Sequence, residues 1–197
     1  MATIEALGLT KSFGDKTIFH SLNIFVEQGQ RVAIKGESGK GKTTLLRILA
    51  GIAEADSGRV LYNDKEFNTI TAKTIRNHIA YLPQGIDLMV NDGNELCRML
   101  AVDNDKVVDS LNALGLNAQA LNQPMAELSG GERQRMLISI ILGLKRSILF
   151  LDEPTSALDN TSIKKVIDLI WSQTYLTLVS TSHNPVWVEH CDKVISL

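Results

Sequence analysis

The sequence predicts an α/β fold: a mostly parallel sheet, an antiparallel β layer at its N-terminal side and a small inserted helical lobe. Three observations carry this. A strand-like run, Arg31-Val32-Ala33-Ile34-Lys35, feeds a glycine-rich loop, Gly36 to Thr44, and then a helix-like run, Thr44 to Ala50. Two apolar runs, Ile148–Leu151 and Leu176–Ser180, have the character of strands buried on both faces of a parallel sheet. Between Gly85 and Glu127 the pattern changes to short helical segments joined by polar turns.

The loop, Gly36-Glu37-Ser38-Gly39-Lys40-Gly41-Lys42-Thr43-Thr44, fits the spacing G-x-x-x-x-G-K-[ST] that cradles phosphate. Its backbone N–H groups must curl around a polyphosphate. Gly36, Gly39 and Gly41 are expected to supply the positive φ angles and the close approach that the curl needs. Lys42 can set its ammonium on β- and γ-phosphate oxygens, and the Thr43 hydroxyl can ligate Mg²⁺. A strand before the loop and a helix after it make the match an anion site, because the helix N-terminus points free N–H groups at the ligand. Gly51 is the expected stop of that helix.

Upstream, Ile4–Leu9, Leu22–Val26 and Val60–Tyr62, the last followed by an Asn63-Asp64 turn, read as the antiparallel layer. Phe13 lies on that layer just before Gly14-Asp15, where it can stack on a purine or simply pack. Ile79–Leu82 is another strand, ending at Pro83-Gln84. In the helical stretch, Leu96–Leu100 and Val107–Leu114 suggest short helices, the second stopped by Gly115.

Leu128-Ser129-Gly130-Gly131-Glu132 then opens a helix with an apolar stripe, Met136, Leu137, Ile140, Ile141 and Leu144. Ser129 and Glu132 have the spacing of a capping box. Ser129, Gly130 and Gly131 also expose backbone N–H groups as a second anion nest, far along the chain from the first. The Ile148 strand ends in Asp152-Glu153, and carboxylates at such a strand end are where open α/β sheets place their chemistry. Asp152 is expected to hold Mg²⁺, and Glu153 to polarise an attacking water. Asp159 is a candidate N-cap for a helix through Ile170. Thr181-Ser182-His183 ends the Leu176 strand, which puts His183 within reach of a γ-phosphate. His20, His78 and His190 have no such context.

The chain has 197 residues, 44% of them apolar and 21% charged, which suits one domain with a small lobe. The net charge of −2 provides no overall basic footprint, so no nucleic-acid partner is expected. Cys97 and Cys191 lie in no metal or redox spacing. No signal-peptide pattern is visible. The longest nearly apolar run, Met136–Leu144, is far short of the ~20 residues that span a bilayer.

Along essentially its whole length the chain resembles the nucleotide-binding subunit of ATP-binding cassette (ABC) transporters. Gly36–Thr44 is similar to the Walker A loop, and Gln84 to the Q-loop glutamine that senses Mg²⁺ and the transmembrane partner. Leu128–Gln134 resembles the LSGGQ-type signature, with Glu132 where many members have Gln. Ile148–Glu153 looks like Walker B with its catalytic glutamate, Ser156–Asp159 like the D-loop and His183 like the switch histidine. Phe13 falls where the family has an adenine-stacking aromatic. The resemblance implies one ABC-type ATPase domain over residues 1–197, with a helical lobe at about 86–130.

It also implies ATP and Mg²⁺ as cofactors. Two copies would form a head-to-tail dimer, each ATP lying between Walker A of one and the signature of the other. Integral membrane permease subunits would hold the chain on the cytoplasmic face as a peripheral ATPase. Asn184 replaces a frequent acidic residue after the switch histidine, and the lobe is expected to be reduced. Gly85–Asn91 looks slightly more like an exporter-type cassette. Ending at Val194–Leu197, the sequence is expected to carry no accessory C-terminal domain. A competing reading is a soluble ABC-type ATPase serving an assembly or nucleic-acid process without a permease. The short spacing from Walker A to signature leaves no space for the long coiled coil of the repair members of that class.

Overall fold

The computed structural model describes residues 2–85 and 90–197. β1 (Ala2–Phe13) and β2 (Lys16–Glu27) form a long antiparallel hairpin, considerably longer than the two apolar cores of the sequence suggested. Ladder hydrogen bonds carry the pairing outward past the buried residues, out to Phe13 opposite Lys16. β3 (Arg31–Lys35) leads through the loop into α1 (Lys42–Leu49). β4 (Ser57–Tyr62) turns through Asn63 and Asp64, both at positive φ, into the two-residue β5 (Lys65–Glu66). α2 (Ala72–Arg76) and β6 (Ile79–Leu82) follow. The apolar patterns at β5 and α2 are too short to reveal either element in the sequence, and both are held by their neighbours.

The inserted lobe consists of α3 (Gly93–Met99), α4 (Asn104–Ala113) and a 3₁₀ turn, Ala118–Asn122. Asp92 and Asp103 cap the two helices through their carboxylates, and Gly115 leaves α4 at φ 77°. The exporter-like reading of Gly85–Asn91 falls in part on residues 86–89, outside the described residues. The core resumes with α5 (Gly130–Gly143), β7 (Ile148–Asp152), α6 (Asn160–Trp171), β8 (Thr177–Thr181), α7 (Pro185–His190) and β9 (Lys193–Ser196).

Two sheets result: β2-β1-β4-β5, antiparallel, and β6-β7-β8-β3-β9, parallel. The alternation of side chains along a strand divides the parallel sheet's residues between two cores. Leu149, Leu151 and Leu178 pack on the side of α5, α6 and the lobe. Ile148, Phe150 and Val179 pack on the other side with α1 and the antiparallel layer. All five residues of β7 are buried, so its length of continuous apolar sequence is the direct consequence of having two covered faces. In parallel strands the C-terminal ends all reach one edge of the sheet, and that edge carries the loop, Asp152 and His183.

Candidate functional site

The loop conformation is dictated by two of its glycines. Gly39 and Gly41 have φ of 78° and 91°, and a Cβ on Gly41 would lie 2.1 Å from Ile18 Cγ2. Gly36 departs from the sequence reading: its φ is not positive. What it provides is space, since a Cβ there would sit 2.8 Å from the carbonyl oxygen of Leu197. Gly41 is the N-cap of α1, with no side chain bonded to the helix end and no acid in the first turn. The dipole and N–H groups of that end are therefore free for an anion. Lys42 is 8% exposed, and its Nζ donates to the carbonyls of Gly36 (3.0 Å) and Glu37 (3.1 Å). This draws the ammonium back along the loop instead of out into solvent.

Asp152, at the end of β7, is 2% exposed. A buried carboxylate requires donors around it, and three neighbouring strands or helices bring hydroxyls. Thr43 donates to Oδ1 at 3.0 Å from α1, and Thr181 to the same oxygen at 2.7 Å from β8. The Tyr81 hydroxyl on β6 reaches Oδ2 at 3.4 Å. Burial pushes the Tyr81 phenol above its ordinary pKa, so it stays a neutral donor. The sequence shows Tyr81 only as part of an apolar strand; in the structure it takes a half-buried, alternate position in β6.

Glu153 stands at φ 49°, a left-handed conformation that costs a non-glycine residue about 1–3 kcal/mol. Its N–H holds it there by donating to Thr181 Oγ1 (2.8 Å) and the Thr181 carbonyl (3.2 Å). The turn directs the carboxylate toward His183, with 3.4 Å between Oε1 and Nε2. Asn184 accepts from the Trp187 N–H at 3.1 Å and so caps α7, a task that Asp could do equally well.

Lys42, Thr43, Glu153, His183 and Asn184 border a cleft of about 840 Å³, with Asp152 buried behind Thr43. Ser38, Gly39, Gly41, Lys42, Thr43 and Thr44 form its loop wall. Gln84, Glu153 and His183 also line it, as does Phe13, 58% exposed with the Lys11 ammonium 5.5 Å from its ring centre. Gly36, Glu37 and Lys40 line an adjoining hollow, also bordered by His183. Ser129, Gly130 and Gly131 are elsewhere. They start α5, where Ser129 and Glu132 form the full capping box: the Glu132 N–H donates to Ser129 Oγ at 3.3 Å, and the Ser129 N–H to Glu132 Oε2 at 2.9 Å. Ser129 and Gly130 are exposed, and a Cβ on Gly131 would come 3.0 Å from the Ala157 carbonyl.

The fit of a magnesium ion is testable on the donor set. Among the described residues there is no group of three or more His, Cys, Asp or Glu placed to hold a metal. What exists is one hydroxyl, Thr43, bonded to one buried carboxylate, Asp152, with the Gln84 amide on the same cleft. Hard oxygen donors in such small number suit Mg²⁺, which keeps waters and takes phosphate oxygens as its remaining ligands.

A parallel sheet with a glycine-rich loop at its C-terminal edge and a strand-end Asp-Glu pair defines an α/β phosphate-loop nucleotide-binding protein. The ABC transporter family model matches residues 19–156, and the chain belongs to that family. It is 33% identical over 99% of its length to the colicin V secretion/processing ATP-binding protein of Escherichia coli, covering 30% of that protein. To the spermidine/putrescine import ATP-binding protein of Pasteurella multocida it is 37% identical over 79% of the chain and 44% of the relative. To the methionine import ATP-binding protein of Clostridium tetani it is 32% identical over 97% of the chain and 65% of the relative. The chain thus spans roughly a third to two thirds of the length of these relatives. A dimeric structure of a bacterial ABC transporter cassette has the same fold, with TM-score 0.87 and 22% identity over 98% of this chain and 94% of that one. A bacterial ABC exporter with ATP bound matches with TM-score 0.87 and 24% identity, over all of this chain and 37% of that one.

Proposed function

We propose that the chain is the ATP-hydrolysing subunit of an ABC transporter and works as one domain over residues 1–197. The observation that carries this is the joining of Thr43 to Asp152, which ties the phosphate loop to the strand end where Glu153 and His183 meet. Phe13 stacks on adenine, and the loop N–H groups and Lys42 hold the β- and γ-phosphates. Thr43, Asp152 and Gln84 would hold Mg²⁺, which would neutralise charge on the phosphate oxygens. Glu153 orients a water and accepts its proton as the water oxygen bonds to the γ-phosphorus and the bond to the β–γ bridging oxygen breaks. His183 steadies the γ-phosphate.

Ser129, Gly130 and Gly131 lie outside their own chain's cleft, so the site is completed by those residues of a second copy in a head-to-tail dimer. ATP shifts the population toward that closed dimer, and hydrolysis releases it. Among the described residues no helix is long and apolar enough to cross a membrane. In this reading integral membrane permease subunits provide the path, and the chain docks on their cytoplasmic face. Both import and secretion proteins are among the relatives, in keeping with direction and cargo being set by the membrane partners.

Glu153→Gln keeps the shape of the side chain and removes the proton acceptor. Turnover is expected to fall at least ~10²-fold, while ATP and Mg²⁺ convert the variant to a stable dimer by light scattering. A variant that remains monomeric with ATP and Mg²⁺ would count against the reading.

A further inference from the structure

β6 and β7 run in parallel register, with Tyr81 opposite Phe150 and Leu82 opposite Leu151. Strand alternation turns Ile79 and Tyr81 of β6, and Ile148, Phe150 and then Asp152 of β7, toward the face that α1 covers. Thr43 and Arg47, four residues apart, lie on one side of α1. Thr43 bonds Asp152 Oδ1, and Arg47 meets the Tyr81 hydroxyl, a hydrogen bond that raises the guanidinium pKa above its ordinary value. The Tyr81 ring packs half-buried against the apolar core on this face. Phenylalanine would pack there equally well, so the hydroxyl needs a separate explanation. It lies 3.4 Å from Asp152 Oδ2, and among the described residues no other group bonds that oxygen. The torsion that turns an aspartate carboxylate about its own axis is soft. Two threonine hydroxyls hold Oδ1 and one phenol holds Oδ2, which together leave the group a single orientation.

We propose that Tyr81 is a positioning residue for the metal ion that Thr43, Asp152 and Gln84 would hold: its hydroxyl sets the rotation of the Asp152 carboxylate. The proposal rests on the reading of the cleft given above. A guanidinium only donates, whereas a phenol can both donate and accept. The Tyr81 oxygen therefore accepts from Arg47, and its proton turns to Asp152. Tyr81 does not line the cleft, so it acts through the carboxylate and touches no reacting atom.

The test is Mn²⁺ binding followed by electron paramagnetic resonance, with the non-hydrolysable ATP analogue AMP-PNP at saturation. AMP-PNP affinity is measured separately in EDTA by calorimetry. Tyr81→Phe should weaken Mn²⁺ binding about tenfold, the usual cost of losing a group that orients a metal ligand. Its AMP-PNP affinity in EDTA should match that of the parent, which also shows that the variant is folded. Arg47→Met should weaken Mn²⁺ binding severalfold, and the double variant should bind no more weakly than Tyr81→Phe alone, because Arg47 acts through the phenol. Unchanged Mn²⁺ affinity in Tyr81→Phe, an equal loss of metal-free AMP-PNP affinity, or additive losses in the double variant would overturn the proposal. If the parent itself shows no AMP-PNP-dependent Mn²⁺ binding, the reading of the cleft fails and the proposal falls with it. If the parent binds and Tyr81→Phe binds equally, only the proposal falls.

Discussion

Two helices in this chain begin at glycine-rich segments, and their N-termini are opposites. α1 starts at a left-handed Gly41 with no side-chain cap and no acid in its first turn. α5 starts at Ser129 with a complete capping box, and its first turn contains Glu132. Ser129 donates from both its hydroxyl (2.6 Å) and its N–H (2.9 Å) to the Glu132 carboxylate. These bonds hold Glu132 below the usual glutamate pKa range, so it is charged at neutral pH. The first terminus is therefore open to an anion, and the second already contains one. In the proposed dimer α1 binds phosphate on its own, whereas α5 must release or turn aside Glu132 before Ser129 can reach the γ-phosphate of its partner. The same fold element can bind a ligand outright or bind it conditionally, depending on what the sequence places three residues into the helix.

The largest effect expected is at the open end. Lys42→Ala should lower ATP affinity on the order of 10²-fold by calorimetry, because a buried charge-assisted contact is lost and nothing else in the cleft replaces it. Unchanged affinity would place the nucleotide elsewhere and end the comparison. At the capped end, Ser129→Ala should leave monomer ATP affinity unchanged. It should weaken the ATP-dependent dimer of the Glu153→Gln background about tenfold and cost the helix about 1 kcal/mol of stability. Loss of monomer affinity would show that Ser129 serves its own cleft.

The smallest effect is the most informative about α5. Glu132→Gln keeps the N3 hydrogen bond and removes the charge, so the ATP-dependent dimer should tighten severalfold at low salt and less at high salt. Because the folded pKa of Glu132 is depressed, its ionised form contributes stability above the ordinary glutamate pKa. That contribution disappears as pH falls through the lower folded value. Melting temperatures of the Gln variant should thus fall less than those of the parent between about pH 5 and about pH 3. An identical acid profile in the two proteins would mean that the Glu132 charge adds nothing to stability.

Much of this was readable from the chain because it is local. The loop, the Ser129–Glu132 box, the Asp159 cap and the β7 run are each set within a few residues, by φ freedom, capping geometry or continuous burial. Asp159 does accept from the Ser162 N–H, at 2.7 Å, as its place before the helix suggested. Gly36 was misread for a non-local reason: its constraint comes from Leu197, a residue at the far end of the chain that β9 brings alongside β3. Tyr81 was missed for the same reason. Nothing in Ile79–Leu82 indicates that its aromatic hydroxyl will reach the end of β7.

The sequence by itself determined that the chain has a phosphate loop between strand and helix, a second glycine-rich helix start and an acidic pair ending a buried strand. These follow from short-range sterics and hydrogen bonding, which act within a turn or a strand. Only the tertiary structure decided what those pieces meet. The parallel register sets Asp152 opposite Thr181, gathers hydroxyls from β6, β8 and α1 around one carboxylate, and puts Ser129 outside the cleft. Pairing across strands depends on which edges are free when the sheet assembles, and no segment of the chain encodes that alone. The consequence is a cleft that, in the proposed dimer, a second copy completes.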